Sequence, residues 1–402
     1  MNPDLDKLHP YPFEKLKALL GQVSHSKNLK HIPLSIGEPK HPSPKIVTNT
    51  LSDNLQKLSN YPTTKGLPEL RAAIAKWANQ RFHLCSPAHN GGLDPESQVL
   101  PLNGTREGLF SFTQAIINRT KPAVVISPNP FYQIYEGAAY LAGAKLELLP
   151  CLKENGFIPD YDKVTEETWQ ACQVLFLCSP GNPTGSVTTL NTLKNLIKLA
   201  DKYDFIIASD ECYSEVYCDE SKPPVGLLEA CAELNRHDYS RCVVFHSLSK
   251  RSNLPGLRSG FVAGDKEILA KFLKYRTYHG SAMPIQHQLA SITAWSDESH
   301  VIENRTLYRN KFDKVLKILS PIIEVEQTDA SFYLWPKTDI SDEQFAQKLF
   351  EEQHVTVLPG SYLSRTINGV NPGKNRIRLA LVASVEDCVE AAQRIKNFVE
   401  GL

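Results

Sequence analysis

The 402-residue sequence has few of the features that mark secreted, membrane-spanning or disulfide-stabilised proteins. Its nine cysteines are scattered, and none of them forms a C-x-x-C pair. An odd, unpatterned set of thiols is typical of a reducing compartment rather than of a disulfide framework. The polar start MNPDLDKLHPYPFEKL lacks the apolar region of a signal peptide, and no apolar run approaches the roughly 18 residues of a transmembrane helix. We therefore expect a cytoplasmic protein that does not cross a membrane.

The sequence also lacks an excess of charge of either sign. Lysine and arginine together number 44, as do aspartate and glutamate, so the formal net charge is zero. This balance gives no electrostatic attraction to nucleic acid or to an anionic membrane. No G-x-G-x-x-G follows an apolar run, which argues against a nicotinamide-dependent enzyme. We predict no metal site, no nucleic-acid partner and no membrane partner.

What the sequence does contain is an alternation of short apolar runs and amphipathic helical patterns. Five runs rich in Val, Ile, Leu and Phe are predicted to be buried strands: AVVIS (123–127), VLFLC (174–178), FIIAS (205–209), VVFHS (243–247) and GFVAG (260–264). Between the second and third runs, apolar residues recur at helical spacing from Leu190 to Tyr203, which predicts an α-helical crossover between parallel strands. Another helix is predicted to begin at Pro68. The pattern predicts an α/β fold whose mostly parallel sheet is flanked by helices.

The pattern changes near residue 290. A helix around 299–319 leads to the segments IIEVEQ and SFYLWP, a helix near 341–353, VTVLPG, RIRLAL and a final helix. Strands and helices in that order predict a smaller α+β domain over 290–402. The first 45 residues are predicted to form an arm that packs with this smaller domain, which leaves 46–289 as the large domain.

Three polar residues follow predicted strands. Asn182 follows VLFLC, Asp210 follows FIIAS, and Lys250 follows VVFHS. In open α/β sheets, ligands bind outside the carboxyl ends of the strands. We therefore expect these three residues to meet in one crevice.

The segment around Lys250 is the most informative of the three. Ser247 and Ser249 precede the lysine, and Arg258 follows it by eight residues. A lysine amine can attack an aldehyde, and hydroxyls with a guanidinium fork can hold a phosphate. The segment therefore predicts a site for a phosphate-bearing aldehyde, pyridoxal 5′-phosphate (PLP). The plainer interpretation is a surface lysine and arginine that flank a turn.

The motif S-x-S-K-x5-G-x-R resembles the lysine signature of the class I and II aminotransferases, which have PLP fold type I. The resemblance extends in the family's order over nearly the whole chain, through SIGEP, YPTTKG, NGTREGLF, PFYQIY, SPGNPTG, SDECY and NRIRLAL. It implies fold type I, with PLP bound covalently to Lys250 as the catalytic residue. SPGNPTG and the lysine motif are specific together, whereas the other motifs are individually loose.

Each part of the cofactor has a candidate partner in these motifs. A buried carboxylate keeps the pyridine nitrogen protonated, and Asp210 is the candidate, with a helix cap or turn as its alternative role. Tyr213 and Asn182 can donate to the phenolate oxygen. Tyr132, or Phe131 in its place, can stack on the ring. The phosphate is expected at the helix start that follows Gly104, and its cofactor-binding residues there are predicted to be Thr105 and Arg106, with Arg106 contributing its amide.

The remaining roles are implied by the resemblance. Tyr61 would reach the phosphate of the neighbouring subunit, which predicts a homodimer. Gly37 would lie beside the substrate carboxylate, together with Asn182. Arg378 would grip the α-carboxylate, although strand alternation places Arg376 on the same face and the choice rests on the family pattern.

The implied reaction is transamination between an amino acid and a 2-oxo acid. The stretch PNPFYQIYEGAAYLAGA and the start YPFEKL are similar to N-succinyldiaminopimelate aminotransferases. This similarity indicates N-succinyl-LL-2,6-diaminopimelate as the donor, with glutamate and 2-oxoglutarate as the other pair, in lysine biosynthesis. Aspartate, alanine or aromatic specificity stays open. A fold type I β-lyase would share every cofactor residue. A PLP-binding regulatory module is disfavoured, because the arm is short and not basic.

Overall fold

The computed structural model describes residues 1–24, 28–85 and 92–402. Its β-strands are β1 Ile32–Pro33, β2 Val99–Leu102, β3 Val124–Asn129, β4 Lys145–Pro150, β5 Cys172–Cys178, β6 Ile206–Asp210, β7 Cys242–Ser247, β8 Gly260–Gly264, β9 Tyr333–Leu334, β10 Val355–Thr356, β11 Leu358–Pro359 and β12 Ile377–Ala380. Its α-helices are α1 Pro12–Leu20, α2 Lys45–Asp53, α3 Pro68–Arg81, α4 Thr105–Ile116, α5 Gln133–Leu141, α6 Glu166–Ala171, α7 Leu190–Tyr203, α8 Leu227–Glu233, α9 Leu248–Arg251, α10 Lys266–His279, α11 Ile285–Ser296, α12 Ser299–Leu319, α13 Asp342–Gln353 and α14 Val385–Glu400.

Within the described residues, seven strands form the main sheet in the order β2-β8-β7-β6-β5-β3-β4. The pairs from β4 through β7 are parallel, whereas β8 runs antiparallel to both β7 and β2. Val174 and Phe176 of β5 face one hydrophobic cluster, and Leu175 and Leu177 face another. Both faces of the strand are buried, which explains its continuous apolar sequence. The predicted fold class, a mostly parallel sheet between helix layers, is confirmed.

Most predicted elements of the sheet are present. Helix α7 spans the predicted crossover, and α3 begins at Pro68, which occupies a first-turn position. The run GFVAG is a strand but is antiparallel to its neighbours. The segment IIEVEQ is not a strand. Glu324 in that segment instead accepts a backbone hydrogen bond from Lys337 and pairs with the side chain of Lys153.

A second, smaller group of elements covers one end of the molecule. Strands β11, β12 and β9 form an antiparallel sheet, and β1 pairs in parallel with β10. Helices α12, α13 and α14 enclose an apolar cluster that includes Ile32 of β1. Helix α1 contacts α13 and β11, so elements of the first 45 residues lie against this group.

The proposed boundary at 289 falls inside helix α11, which packs on α2 and α3. The division into an arm and two domains therefore stays a prediction. In the described parts of the chain, no helix combines the length and the apolar character needed to cross a lipid bilayer.

Candidate active site

A cavity of about 580 Å³ opens where β5, β6 and β7 end. Its volume lies within the range of about 300–1,000 Å³ that is usual for small-molecule sites. All the predicted site residues line it except Tyr61: Gly37, Thr105, Arg106, Tyr132, Asn182, Asp210, Tyr213, Ser247, Ser249, Lys250, Arg258 and Arg378. The chain therefore brings together residues that are up to 341 positions apart, from 37 to 378.

Lys250 lies on the short helix α9, directly after β7. Ser247 caps this helix through a hydrogen bond from the Ser249 amide (3.1 Å), which fixes where the lysine side chain leaves the backbone. Its Nζ donates to the carbonyl oxygen of Gly37 at 2.6 Å. Burial lowers the pKa of Lys250 to about 8, and the Arg378 guanidinium acts in the same direction. The amine is therefore neutral, and nucleophilic, at a lower pH than an ordinary lysine.

Asp210 is the last residue of β6 and is buried. Its Oδ2 accepts a hydrogen bond from the Tyr135 hydroxyl at 2.7 Å, and its Oδ1 accepts one from the Cys212 amide at 3.3 Å. Burial raises the pKa of Asp210, because no cation of the chain forms an ion pair with it among the described residues. A cationic ligand group would compensate this carboxylate. Tyr135 was not predicted, although it follows Tyr132 by three residues at the start of α5 and so could have been placed near the site.

A cradle for an anion lies at the first turn of α4. Thr105 begins this helix, and Gly104 before it has φ +81°. A Cβ on Gly104 would lie 2.1 Å from Nη2 of Arg258, so only glycine allows the guanidinium to approach the helix start. The hydroxyls of Ser247 and Ser249 line the same cavity, 3.0 Å apart. The backbone amides at the start of α4, the Arg258 guanidinium and the two serine hydroxyls together suit a phosphate.

Arg378 projects into the cavity from β12 and is 4% exposed. Its Nη1 donates to Oδ1 of Asn182 at 2.9 Å, and its Nη2 donates to the carbonyl of Ser35 at 2.7 Å. The guanidinium also lies over the ring of Tyr333, 4.4 Å from its centroid. These contacts fix the fork in one orientation, which suits bidentate binding of a carboxylate.

Arg376 does not share this site. It lies just before β12, donates to the carbonyl of Trp335 at 3.0 Å and faces Glu324 at 3.7 Å, in a different cavity. Arg376 forms only an isolated antiparallel bridge with Lys337, outside β12, so the alternation within that strand does not place its side chain beside Arg378.

Tyr333 is a second residue that the sequence did not identify. Its hydroxyl lies 2.9 Å from the hydroxyl of Tyr213, and a Cβ on Gly37 would come within 1.9 Å of the same oxygen. Because Gly37 has no side chain, the Tyr333 hydroxyl fits between Gly37 and Tyr213. The segment SFYLWP carried only the signal of a buried strand, which explains the omission.

The wall beside α4 and α5 is formed by Arg106 and Tyr132. Nε of Arg106 donates to the Tyr132 hydroxyl at 2.8 Å. The side chain of Arg106 therefore lines the cavity, whereas only its amide was expected to do so. Phe131 is buried in the core and does not line the cavity, so the aromatic residue available to a ligand here is Tyr132.

The cavity is also lined by residues to which the sequence assigned no role, although most of them lie inside or beside the motifs quoted above: Tyr11, Phe13, Ile36, Glu38, Gln133 and Leu363. Tyr61 lies outside the cavity with its side chain fully exposed (101%).

Comparisons with known proteins agree with this geometry. Residues 30–395 match the family model described as "Aminotransferase class I and II". The LL-diaminopimelate aminotransferase of Maridesulfovibrio salexigens is 32% identical over 98% of each chain. An aminotransferase from Neisseria meningitidis of known structure is 48% identical, with a TM-score of 0.94 over 99% of this chain and 100% of the other. A probable N-succinyldiaminopimelate aminotransferase from Thermus thermophilus is 26% identical, with a TM-score of 0.83 over 96% of this chain and 99% of the other.

Proposed function

The chain belongs to the class I and II aminotransferases, and from this membership we propose which residues carry the reaction and which amino acid supplies the amino group. Enzymes of this family use pyridoxal 5′-phosphate. When bound, PLP supplies an aldehyde that takes up the amino group and a pyridinium ring that withdraws electrons from the donor's Cα. One observation carries the assignment of roles: Lys250 with its lowered pKa, the buried carboxylate of Asp210 and the anion cradle at α4 all line the same cavity.

The chemistry of the donor set fits this cofactor. The uncompensated carboxylate of Asp210 suits a protonated ring nitrogen, and the cradle of Thr105, Ser247, Ser249 and Arg258 suits the phosphate. Gly104 leaves space in that cradle that a Cβ would fill. We assign Tyr132 to the face of the ring, and Asn182 and Tyr213 to its phenolate oxygen.

In the proposed reaction, Lys250 would hold the cofactor covalently through its amine. When that amine is free, it would act as the base and acid that moves the proton at the donor's Cα. Arg378 holds the α-carboxylate and so orients the Cα–H bond toward Lys250. Asp210 keeps the proton on the ring nitrogen throughout. The lowered pKa of Lys250 supports this assignment, because a base must be unprotonated near the working pH.

We propose LL-diaminopimelate as the amino donor and 2-oxoglutarate as the acceptor. The names of curated relatives at 30–32% identity support this substrate class. Arg106 lines the cavity and could bind the far carboxylate of a long donor. Among the described residues, its side chain donates one hydrogen bond, from Nε to Tyr132. Its two terminal nitrogens therefore remain for a ligand. The N-succinylated donor indicated by the sequence is the second candidate, which the Thermus thermophilus relative supports.

The test is a comparison of kcat/KM with 2-oxoglutarate as acceptor. LL-Diaminopimelate, its N-succinyl derivative, aspartate, alanine and phenylalanine are offered as donors. We expect one of the two diaminopimelates to exceed the other three by about tenfold or more, the difference that one added charge-assisted contact makes. A higher value for aspartate, alanine or phenylalanine would overturn the substrate proposal and leave the aminotransferase assignment intact.

We also propose a homodimer in which Tyr61 reaches the phosphate of the partner subunit. Support comes from the exposed apolar side chains that share its segment, Leu55 (51% exposed) and Leu58 (68% exposed). Exposed apolar groups close together along a chain favour an interface.

A further inference from the structure

Helix α12 presents one face to the segment that carries Lys250. His300, Asn304, Tyr308 and Lys311 follow one another at intervals of three or four residues, so they share that face. His300 contacts Ser252 through Nε2 (2.8 Å), and Tyr308 packs on the ring of His41 at 4.5 Å between centroids. The helix therefore touches both the backbone after Lys250 and the loop 34–44, which carries Gly37.

Asn304 is the centre of these contacts and is 3% exposed. Its Nδ2 donates to the carbonyl of Lys250 at 3.2 Å and to that of Arg251 at 3.4 Å. Its Oδ1 accepts from Nδ1 of His41 and from Nδ2 of Asn253, both at 2.8 Å. A side-chain amide offers two hydrogens and two lone pairs, and Asn304 uses all four. An apolar side chain at this position would lose all four contacts.

Lys311 decides which nitrogen of His41 carries the hydrogen. Burial lowers the pKa of Lys311 to about 8, so below that pH its amine is an ammonium group with donors only. Its Nζ lies 2.6 Å from Nε2 of His41, which therefore accepts. The hydrogen is then on Nδ1, which donates to Asn304. A protonated His41 would face this ammonium directly, and burial also lowers the pKa of His41. The imidazole is thus held neutral and in one tautomer.

The contacts close into a ring around Lys250. The loop that His41 anchors contains Gly37, whose carbonyl accepts from Lys250 Nζ at 2.6 Å. Ser43 of the same loop donates to the carbonyl of Asn253 at 3.3 Å, as a second tie. The backbone end and the amine end of Lys250 are therefore both positioned relative to Asn304.

We propose that Asn304 is a positioning residue for Lys250, with His41 and Lys311 as its supports. The proposal rests on the proposed function, in which Lys250 leaves the cofactor and returns to it. An amine that transfers a proton reacts faster when it is held in the right orientation. Asn304 holds the backbone of Lys250, and the Gly37 carbonyl holds its Nζ. Neither His41, Asn304 nor Lys311 lines the cavity, so none of them touches the reacting atoms.

The test compares Asn304→Ala and Lys311→Met with the control Tyr308→Phe. The control lies on the same helix face, and its buried hydroxyl has no hydrogen-bond partner among the described residues. Three quantities are measured: the rate at which apoprotein captures added PLP covalently, kcat against KM for the donor, and hydrogen exchange of the backbone over 34–44 and 248–253. The first and third need no amino donor.

We expect Asn304→Ala to slow PLP capture and to lower kcat by about tenfold or more, which equals ~1.4 kcal/mol, with KM changed by less than about threefold. Exchange should rise in both segments, although the substitution lies in neither. Lys311→Met should raise exchange in 34–44, and Tyr308→Phe should leave all three quantities unchanged.

Capture within about twofold of the wild-type rate, or unchanged exchange over 34–44 in Asn304→Ala, would overturn the proposal. A general loss of stability would instead raise exchange across the sheet and would also refute it. If the wild-type protein transaminates no donor while capture and exchange respond as expected, the proposed function fails and the positioning network stands.

Discussion

At the scale of single residues, the site moves two pKa values in opposite directions. Burial lowers the pKa of Lys250 and raises that of Asp210, since each charged form loses water. The lysine thereby becomes a nucleophile at moderate pH. The aspartate becomes a carboxylate that a cation would stabilise, and the proposed cation is the protonated pyridine nitrogen of PLP.

The first prediction concerns the pH dependence of cofactor capture. With a pKa of about 8, roughly a tenth of the Lys250 amine is neutral at pH 7, against less than about a thousandth for an ordinary lysine of pKa ~10.4. The rate of covalent PLP capture by apoprotein should therefore rise about tenfold per pH unit below 8 and level off above it. Stopped-flow absorbance measures this rate. A rise that continues to pH 10 would show that burial does not lower this pKa.

The second prediction concerns Tyr135, the donor to Asp210. Tyr135→Phe removes one hydrogen bond to a charged group, worth about 1.5–3 kcal/mol, and should lower kcat by roughly tenfold or more. Asp210→Ala should lower kcat by about a hundredfold or more, because the proton on the ring nitrogen loses its partner, while Asp210→Glu should lose less. If Asp210→Ala retained activity within about threefold of wild type, Asp210 would be a structural turn residue.

At the scale of elements, the sequence predicted the helices and strands whose limits are set within one segment, but not the features that depend on pairing between segments. The helix from Leu190 to Tyr203 has the predicted limits, because an apolar stripe and the cap of Thr189 specify it within one segment. The orientation of β8 depends on pairing with β7 and β2, which no local signal encodes. IIEVEQ has the composition of a strand, but Glu324 finds its partners in side chains of distant segments.

The same distinction applies to the site. Motifs that the resemblance carried placed Lys250, Asp210 and Arg378, and the structure brings all three to one cavity. Tyr333 lies in no motif, and Tyr11, Phe13 and Gln133 were given no role, since their place in the cavity depends on how distant segments of the chain pack together. Asn304 had no signal at all, because its role consists of contacts with residues more than fifty positions away.

The third prediction concerns the loop that contains Gly37. Gly37→Ala would place a Cβ 1.9 Å from the Tyr333 hydroxyl, so either the loop or the tyrosine must move. Because this loop holds Lys250 Nζ and Ser35 holds Arg378, we expect kcat/KM to fall by about a hundredfold for every donor. Steady-state kinetics with two donors tests this, and Gly137→Ala is the matched control, because a Cβ there makes only an ordinary contact, 3.5 Å from Leu8, and Gly137 does not line the cavity. Equal kinetics for the two variants would contradict the account.

At the scale of the whole molecule, β6 and the helix that follows β7 supply Asp210 and Lys250, the smaller group of elements supplies Arg378, and Tyr11 to Phe13 add to the lining of the cavity. Under the proposed roles, the cofactor and the donor's carboxylate would be held by different parts of the chain. The division into domains and the cytoplasmic location remain predictions.

The fourth prediction concerns assembly. Sedimentation velocity at assay concentration should show a dimer, and Tyr61→Phe should weaken PLP binding by roughly tenfold, since one hydrogen bond to a phosphate is lost. Leu58→Ala, in the same segment, should leave PLP binding unchanged in the dimer. An active monomer, or unchanged PLP affinity in Tyr61→Phe, would refute a site shared across an interface.

The fate of the donor's α-nitrogen shows whether the protein transaminates through Lys250. LL-Diaminopimelate and its N-succinyl derivative, each isotopically labelled at the α-amino group, are incubated separately with 2-oxoglutarate and either the wild-type protein or Lys250→Ala, and the glutamate is analysed by mass spectrometry. We expect labelled glutamate from the wild-type protein with at least one donor, and none from the folded variant. Labelled glutamate from Lys250→Ala at a comparable rate would contradict this expectation. So would release of the label as ammonia by the wild-type protein, which is the outcome expected of a lyase.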